Sequence, residues 1–167
     1  MPLISNTGHR IGEDAWSFVA DDAPIVEESC PIVSLARLKA DWAALSGRNG
    51  RLAVILQPDE AVEDLGPFLA RLDLVAIAFP KFRDGRGYTS ARLLRERLGF
   101  GHEIRAVGDV LLDQLVFMAR CGFDSFVVKN ADEKRALDAL ERYTHVYQPA
   151  ADGRRGVLFH RAHPAKN

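Results

Sequence analysis

The sequence predicts an α/β protein: a mainly parallel five-stranded sheet built from βα repeats, helices on both faces, and short N-terminal β segments. Three observations predict it. From residue 51 onward, apolar runs of four to seven residues alternate with helical patterns of ten or more. That is the rhythm of βα units rather than of hairpins. Leu98-Gly99-Phe100 and Cys121-Gly122-Phe123 each set a glycine past a helix, then an apolar residue that can fold back on the last turn. Asp109 and Asp132 stand where helices begin, as side chains able to accept the first free amides. Five parallel strands fall short of a complete eightfold barrel, which takes about 250 residues. An open sheet is the first expectation, and a partial βα barrel is the alternative the sequence leaves open.

The elements follow in order. Residues 1–34 read as short strands and turns, with β-type runs at 11–12, 16–20 and 24–26 separated by Asp, Gly and Pro. A first helix is expected over 35–45, ending at Gly47. Residues 51–57 read as a buried strand, 60–71 as a helix, 74–79 as a strand and 89–98 as a helix. Strands at 103–107, 125–129 and 145–148, with helices at 110–121 and 132–143, continue the alternation. Residues 153–156 predict a turn before a last, antiparallel edge strand at 157–160. No linker or low-complexity tract interrupts the chain, so residues 1–163 are expected to form one domain, with 164–167 a frayed tail.

Composition narrows the class. The chain has 167 residues, 47% apolar and 27% charged, enough for one proper core without staples. A net charge of −1 gives no general attraction to nucleic acid or membrane, and the aromatic interleaving of an RNA-binding tract is missing. No apolar run approaches the roughly 20 residues of a bilayer span. The first residues lack the basic and apolar regions of a secretion signal. The expectation is a soluble cytoplasmic protein. Cys30 and Cys121 match no metal or redox spacing and are expected reduced. Cys121 ends a helix, where the dipole disfavours a thiolate, so it reads as a structural thiol. The five histidines show no paired ligand spacing, and no metal site is expected.

Chemistry concentrates in one place. After the strand at 74–79 comes Pro80-Lys81-Phe82-Arg83-Asp84-Gly85-Arg86-Gly87-Tyr88, just past a strand's carboxyl end, where α/β sheets present their sites. From Lys81 to Arg105 seven cations stand against three acids, a local +4 on a chain of net −1. Lys81, Arg83 and Arg86 offer donors matched to an oxyanion. Gly85 and Gly87 let the backbone approach a ligand, and the following helix adds its free amides. Arg105 sits mid-strand, where a parallel sheet expects apolar residues, so it needs a partner or ligand; Asp84 and Asp109 are the candidates. Gln114, in the first turn of the next helix, could face the strand ends. The same glycines suggest a dinucleotide fingerprint, but Ser90 stands at its third glycine and the loop begins too late after the strand. No cofactor is evident.

These blocks, with Arg105-Ala106-Val107-Gly108-Asp109-Val110-Leu111 and Phe117-Met118-Ala119-Arg120-Cys121-Gly122-Phe123-Asp124, resemble a bacterial family catalogued as domain of unknown function 934. The likeness covers about residues 50–130 strongly and the rest loosely. Family members are often labelled oxidoreductases of sulfite reduction and tend to be encoded beside sulfite reductase. The family has no established catalytic residues, so the resemblance assigns none here. It implies an accessory protein of assimilatory sulfate and sulfite reduction, with sulfite reductase or another enzyme of that route as partner. Its basic loop would bind a small oxyanion or an acidic partner surface through Lys81, Arg83, Arg86, Gly87, Arg105 and Gln114. The alternatives are an enzyme of sulfur metabolism, with Asp84 or Asp109 as acid or base, and a structural subunit. Nothing in the sequence sets an oligomeric state.

Overall fold

The computed structural model describes residues 1–26, 29–129, 132–143, 146–157 and 159. Eight strands form one sheet: β1 (Leu3–Ser5), β2 (Arg10–Ile11), β3 (Trp16–Phe18), β4 (Cys30–Ser34), β5 (Ala53–Leu56), β6 (Leu74–Phe79), β7 (Glu103–Val110) and β8 (Ser125–Val128). Their order in space is β2-β1-β8-β7-β6-β5-β4-β3. The strands from β3 to β8 run parallel, and β1 and β2 are added antiparallel at one edge.

The α/β alternation stands, but six parallel strands replace the expected five, and the helices occupy one face rather than two. A doubly wound sheet requires a reversal of strand order. Here the parallel strands follow chain order throughout, and right-handed crossovers then return every connection on the same side. Buried residues of α1 (Leu35–Ala40), α2 (Trp42–Ser46), α3 (Arg86–Glu96), α4 (Leu115–Arg120) and α5 (Glu133–Leu140) accordingly share one core with Val54, Val75, Ile77 and Ile104. The alternate strand residues, Ile32, Ala53, Leu74, Ala76, Ala78 and Val107, cluster with Trp16 on the other face, with no helical residue among them.

That second face is concave. The outermost strands are β2 and β3, yet only residues 12–15 separate them in the chain. From Ile11 to Trp16 the backbone reaches at most about 18 Å, whereas eight flat strands measure about 34 Å across. The sheet therefore curls until its edges approach, and residues 12–15 form a strap on the hollow side. The partial-barrel alternative fits; the open sheet covered on both faces does not.

Local departures have local causes. β4 was masked in the sequence by Pro31, which cannot donate to a ladder. Pro31 lies opposite only the short β3, and pairing with β5 starts one residue later at Ile32. Residues 24–26 form no strand. The first helix breaks at Asp41 into α1 and α2. The expected helix at 60–71 is a 3₁₀ helix, Val62–Arg71, because Pro67 inside it lacks an N–H and crowds the preceding turn. α3 starts at Arg86 rather than 89, and β7 continues to Val110, so Asp109 lies in a strand and caps no helix. Gly99, Gly122 and Asp132 terminate or cap their helices as expected, with φ of +67° and +101° at the two glycines. Within the expected strand at 145–148, Val146 makes one parallel bridge to Gly156, and Tyr147 and Gln148 lie in no strand. Val157 and Phe159 are helical, not an edge strand. His145, Asn130, His160 and the expected tail at 164–167 lie outside the described residues.

Candidate functional site

β6 ends at Phe79, and residues 80–85 turn there before α3 begins. The start of α3 at Arg86 places Gly87 inside the helix, and this changes its meaning. A Cβ on Gly87 would fall 2.6 Å from the Phe79 ring. Gly87 lets α3 close on β6, so packing against Phe79 accounts for this glycine. Gly108, opposite Phe79 in the β6–β7 register, has φ +105°, and a Cβ there would meet the Phe79 carbonyl oxygen at 2.4 Å. Two glycines thus close on one residue and set the root of the loop.

Two polar side chains hold the loop itself. The Asp109 carboxylate accepts the Phe82 N–H at 3.1 Å and the Lys129 ammonium at 2.9 Å. The bond from Lys129 and then the Phe82 amide hold its carboxyl below the usual aspartate value. Gln114 donates from Nε2 to the Phe82 carbonyl at 2.8 Å, while its Oε1 accepts the Leu111 N–H at 3.2 Å. Both side chains do face the strand ends, but they clamp backbone there rather than wait for a ligand. Lys129 comes from just past β8, so three consecutive strand ends brace one turn.

The seat expected for an oxyanion is filled from within. Asp84 accepts the Arg86 N–H at 3.2 Å, Nε at 2.9 Å and Nη2 at 2.6 Å. Its carboxyl is lowered chiefly by that Arg86 guanidinium. The carboxylate takes the helix amide and the fork that an external anion would use.

Arg105 is buried at 3% exposure and held in a network, as its mid-strand position requires. Its partners are neither Asp84 nor Asp109. Nε and Nη2 donate to Glu103 Oε1 at 3.0 and 2.9 Å, and Nη1 donates to Asp14 Oδ2 at 2.7 Å. The Ser125 hydroxyl donates to the same Glu103 oxygen at 2.6 Å. Four residues before Asp109, about 13 Å along a strand, Arg105 belongs to the opposite end of the sheet. It ties the strap to the concave floor and takes no part in the loop.

Pairing also thins the basic patch. Arg86, Arg92, Arg95, Arg97 and Arg105 have ion-pair partners in Asp84, Glu96, Asp124, Glu63, and Glu103 with Asp14. Lys81 and Arg83 are exposed and, among the described residues, have none. Arg83 lies over the Phe82 ring at 5.3 Å, and that ring is itself exposed. The loop therefore presents a cation, an aromatic ring and a second cation in sequence, on a backbone fixed from below.

Among the described residues no three His, Cys, Asp or Glu gather as a group that could hold a metal. No described helix is long and apolar enough to cross a membrane. Cys30 and Cys121 are unlinked, and burial pushes the Cys121 thiol up. Sequence reasoning missed Asp14, which nothing in its local sequence marks. It also missed Phe117 on α4, which is exposed. The three-residue spacing of Gln114, Phe117 and Arg120 was the available signal.

Fold and site together define a curled βα half-barrel carrying a braced, cation-tipped loop at the carboxyl ends of its strands. The chain belongs to the bacterial family described as "Bacterial protein of unknown function (DUF934)", whose model matches residues 53–158. The match begins at β5 and takes in the loop, Asp109, Gln114 and Lys129, leaving β1 to β4 outside. A comparison with curated proteins returns no match.

Proposed function

We propose that the protein is an accessory factor of assimilatory sulfate and sulfite reduction that docks the tip of its loop on an acidic surface of a partner enzyme. The sulfur assignment rests on the family resemblance, which makes sulfite reductase the first partner to try. One observation carries the docking reading. Among the described residues, Lys81 and Arg83 are the cations of the basic segment left without a carboxylate, and they stand exposed around Phe82 on a turn braced by Asp109 and Gln114. An exposed, braced turn carrying two cations suits a surface better than it suits a small enclosed ligand.

The other readings have less support. A small oxyanion would have to displace Asp84 from Arg86. An enzyme using Asp84 or Asp109 as acid or base would employ carboxyls that ion pairs hold ionised, far from the near-neutral poise such work favours. The test is purified sulfite reductase titrated with the wild-type chain and with Lys81→Glu/Arg83→Glu. Binding that weakens with salt and is lost in the variant is the expected result. Binding that survives both removes the loop from the interface. A melting temperature raised by sulfite or sulfate in the wild type, and lost in Arg86→Ala, moves the reading to the small anion.

A further inference from the structure

Five aromatic side chains are exposed among the described residues, and four of them lie on one path. The path starts at Phe82, whose carbonyl is held by Gln114. Phe117 and Arg120 follow Gln114 at three-residue steps, so the three share one stripe of the helical segment. The Phe117 ring lies 6.0 Å from the Tyr143 ring. Phe117, Tyr143 and Tyr147, with Arg120, Val146 and Gln148, line a cavity of about 320 Å³. Arg120 fixes its far wall by donating to the Gln148 carbonyl at 2.7 Å and to Asp152 at 3.3 Å. Exposure is 51% at Phe117, 46% at Tyr143 and 75% at Tyr147.

Exposed aromatic side chains gathered in a hollow mark a place where something binds. The volume sits at the low end of what small-molecule sites offer, and among the described lining residues the one charged side chain, Arg120, is already engaged. The site thus favours a single bulky apolar group over a polar metabolite. Continuity with Lys81 and Arg83 sets the charge of whatever carries that group. We infer that the path is one docking groove, whose occupant is a segment of another protein with carboxylates at one end and a large apolar anchor at the other. The inference rests on the reading of the loop as a contact for an acidic surface and adds the anchor to it. A second copy of this chain is the poorer occupant. Pairing this face with itself would bring both cationic loops into one interface, and like charges there oppose association.

The test uses the full chain and short fluorescent synthetic peptides. One carries a run of glutamates followed by tryptophan, one replaces the tryptophan by alanine, and one replaces the glutamates by glutamine. The tryptophan should tighten binding by about tenfold. Phe117→Ala/Tyr147→Ala should remove that gain while leaving the glutamate–alanine peptide unchanged. Lys81→Glu/Arg83→Glu should weaken both glutamate peptides. Equal binding with and without tryptophan, or a gain that survives the groove variant, overturns the groove and leaves the loop reading standing. Affinity indifferent to the glutamates overturns the acidic occupant and the loop reading with it. A dimer of the chain alone, dispersed in sedimentation by the Phe117 and Tyr147 substitutions, overturns the external partner.

Discussion

Asp14 and Arg105 meet across the hollow of the sheet, Oδ2 to Nη1 at 2.7 Å, although 91 positions separate them in the chain. The contact fastens the strap between the two sheet edges to the strand at the middle of the floor. Arg105 is almost wholly buried and Asp14 is partly exposed, so the two ends of the bond are not equivalent.

That asymmetry sets the first prediction. Arg105→Met leaves Glu103 on the concave face without its cation, held by the Ser125 hydroxyl alone, and should cost about 3–5 kcal/mol of unfolding free energy. Asp14→Ala keeps the Arg105–Glu103 pair and should cost about 1 kcal/mol. Urea denaturation of the two variants decides; equal losses would mean that the strap, not the buried charge, dominates.

Three glycines near the loop should behave differently. Gly108→Ala places a Cβ against the Phe79 carbonyl at a positive φ and should destabilise by more than about 1 kcal/mol. Gly87→Ala drives a methyl into the Phe79 ring, with a cost of about 1–3 kcal/mol from overpacking. Gly85 has open space and a negative φ, so Gly85→Ala should be neutral or gain about 0.5 kcal/mol. Thermal unfolding of the three proteins gives the ranking, and a destabilised Gly85→Ala would contradict the described loop.

Acid should release the loop late. Asp109 and Asp84 both have carboxyls below their ordinary value of 3.8, through Lys129 and Phe82 for one and Arg86 for the other. A carboxyl lowered by folding lends stability above its unfolded value and loses it as pH falls through the folded one. The Phe82 amide should therefore keep its hydrogen-bonded chemical shift from neutral pH down past 3.8 and change only below. A midpoint at or above that value, read by NMR titration, would show that Lys129 does not hold Asp109 in solution.

Cys121 should be a slow thiol. Burial raises it above the ordinary cysteine value, outweighing nearby Arg92 and Arg120. In a Cys30→Ser background, alkylation by iodoacetamide near pH 8 should run well below the rate of a free cysteine peptide. A rate equal to the peptide's would show that the thiol is open.

The fold was legible where local chemistry speaks. Strong apolar runs such as Leu74–Phe79 and glycine stops such as Gly99 and Gly122 declared themselves, because burial and positive φ leave few alternatives. β4 was hidden by Pro31, and the early start of α3 was hidden by Gly87, which reads as loop until Phe79 is seen pressing on it. Of the site, the cationic turn and Gln114 were visible, whereas the filling of the Arg86 seat by Asp84 depends on side-chain direction, which spacing alone leaves open.

Local chemistry sufficed for the α/β alternation, the helix ends at Gly99, Gly122 and Asp132, the need of Arg105 for a partner and the cationic turn after β6. Each follows from propensity, or from the cost of burying a charge, which act residue by residue. The curl of the sheet, the single helical face, the strap through Asp14 and the exposure of Lys81 and Arg83 without a carboxylate partner among the described residues belong to the tertiary structure. Those depend on which groups meet in space. A bond between residues 91 positions apart leaves no trace in the local pattern of either.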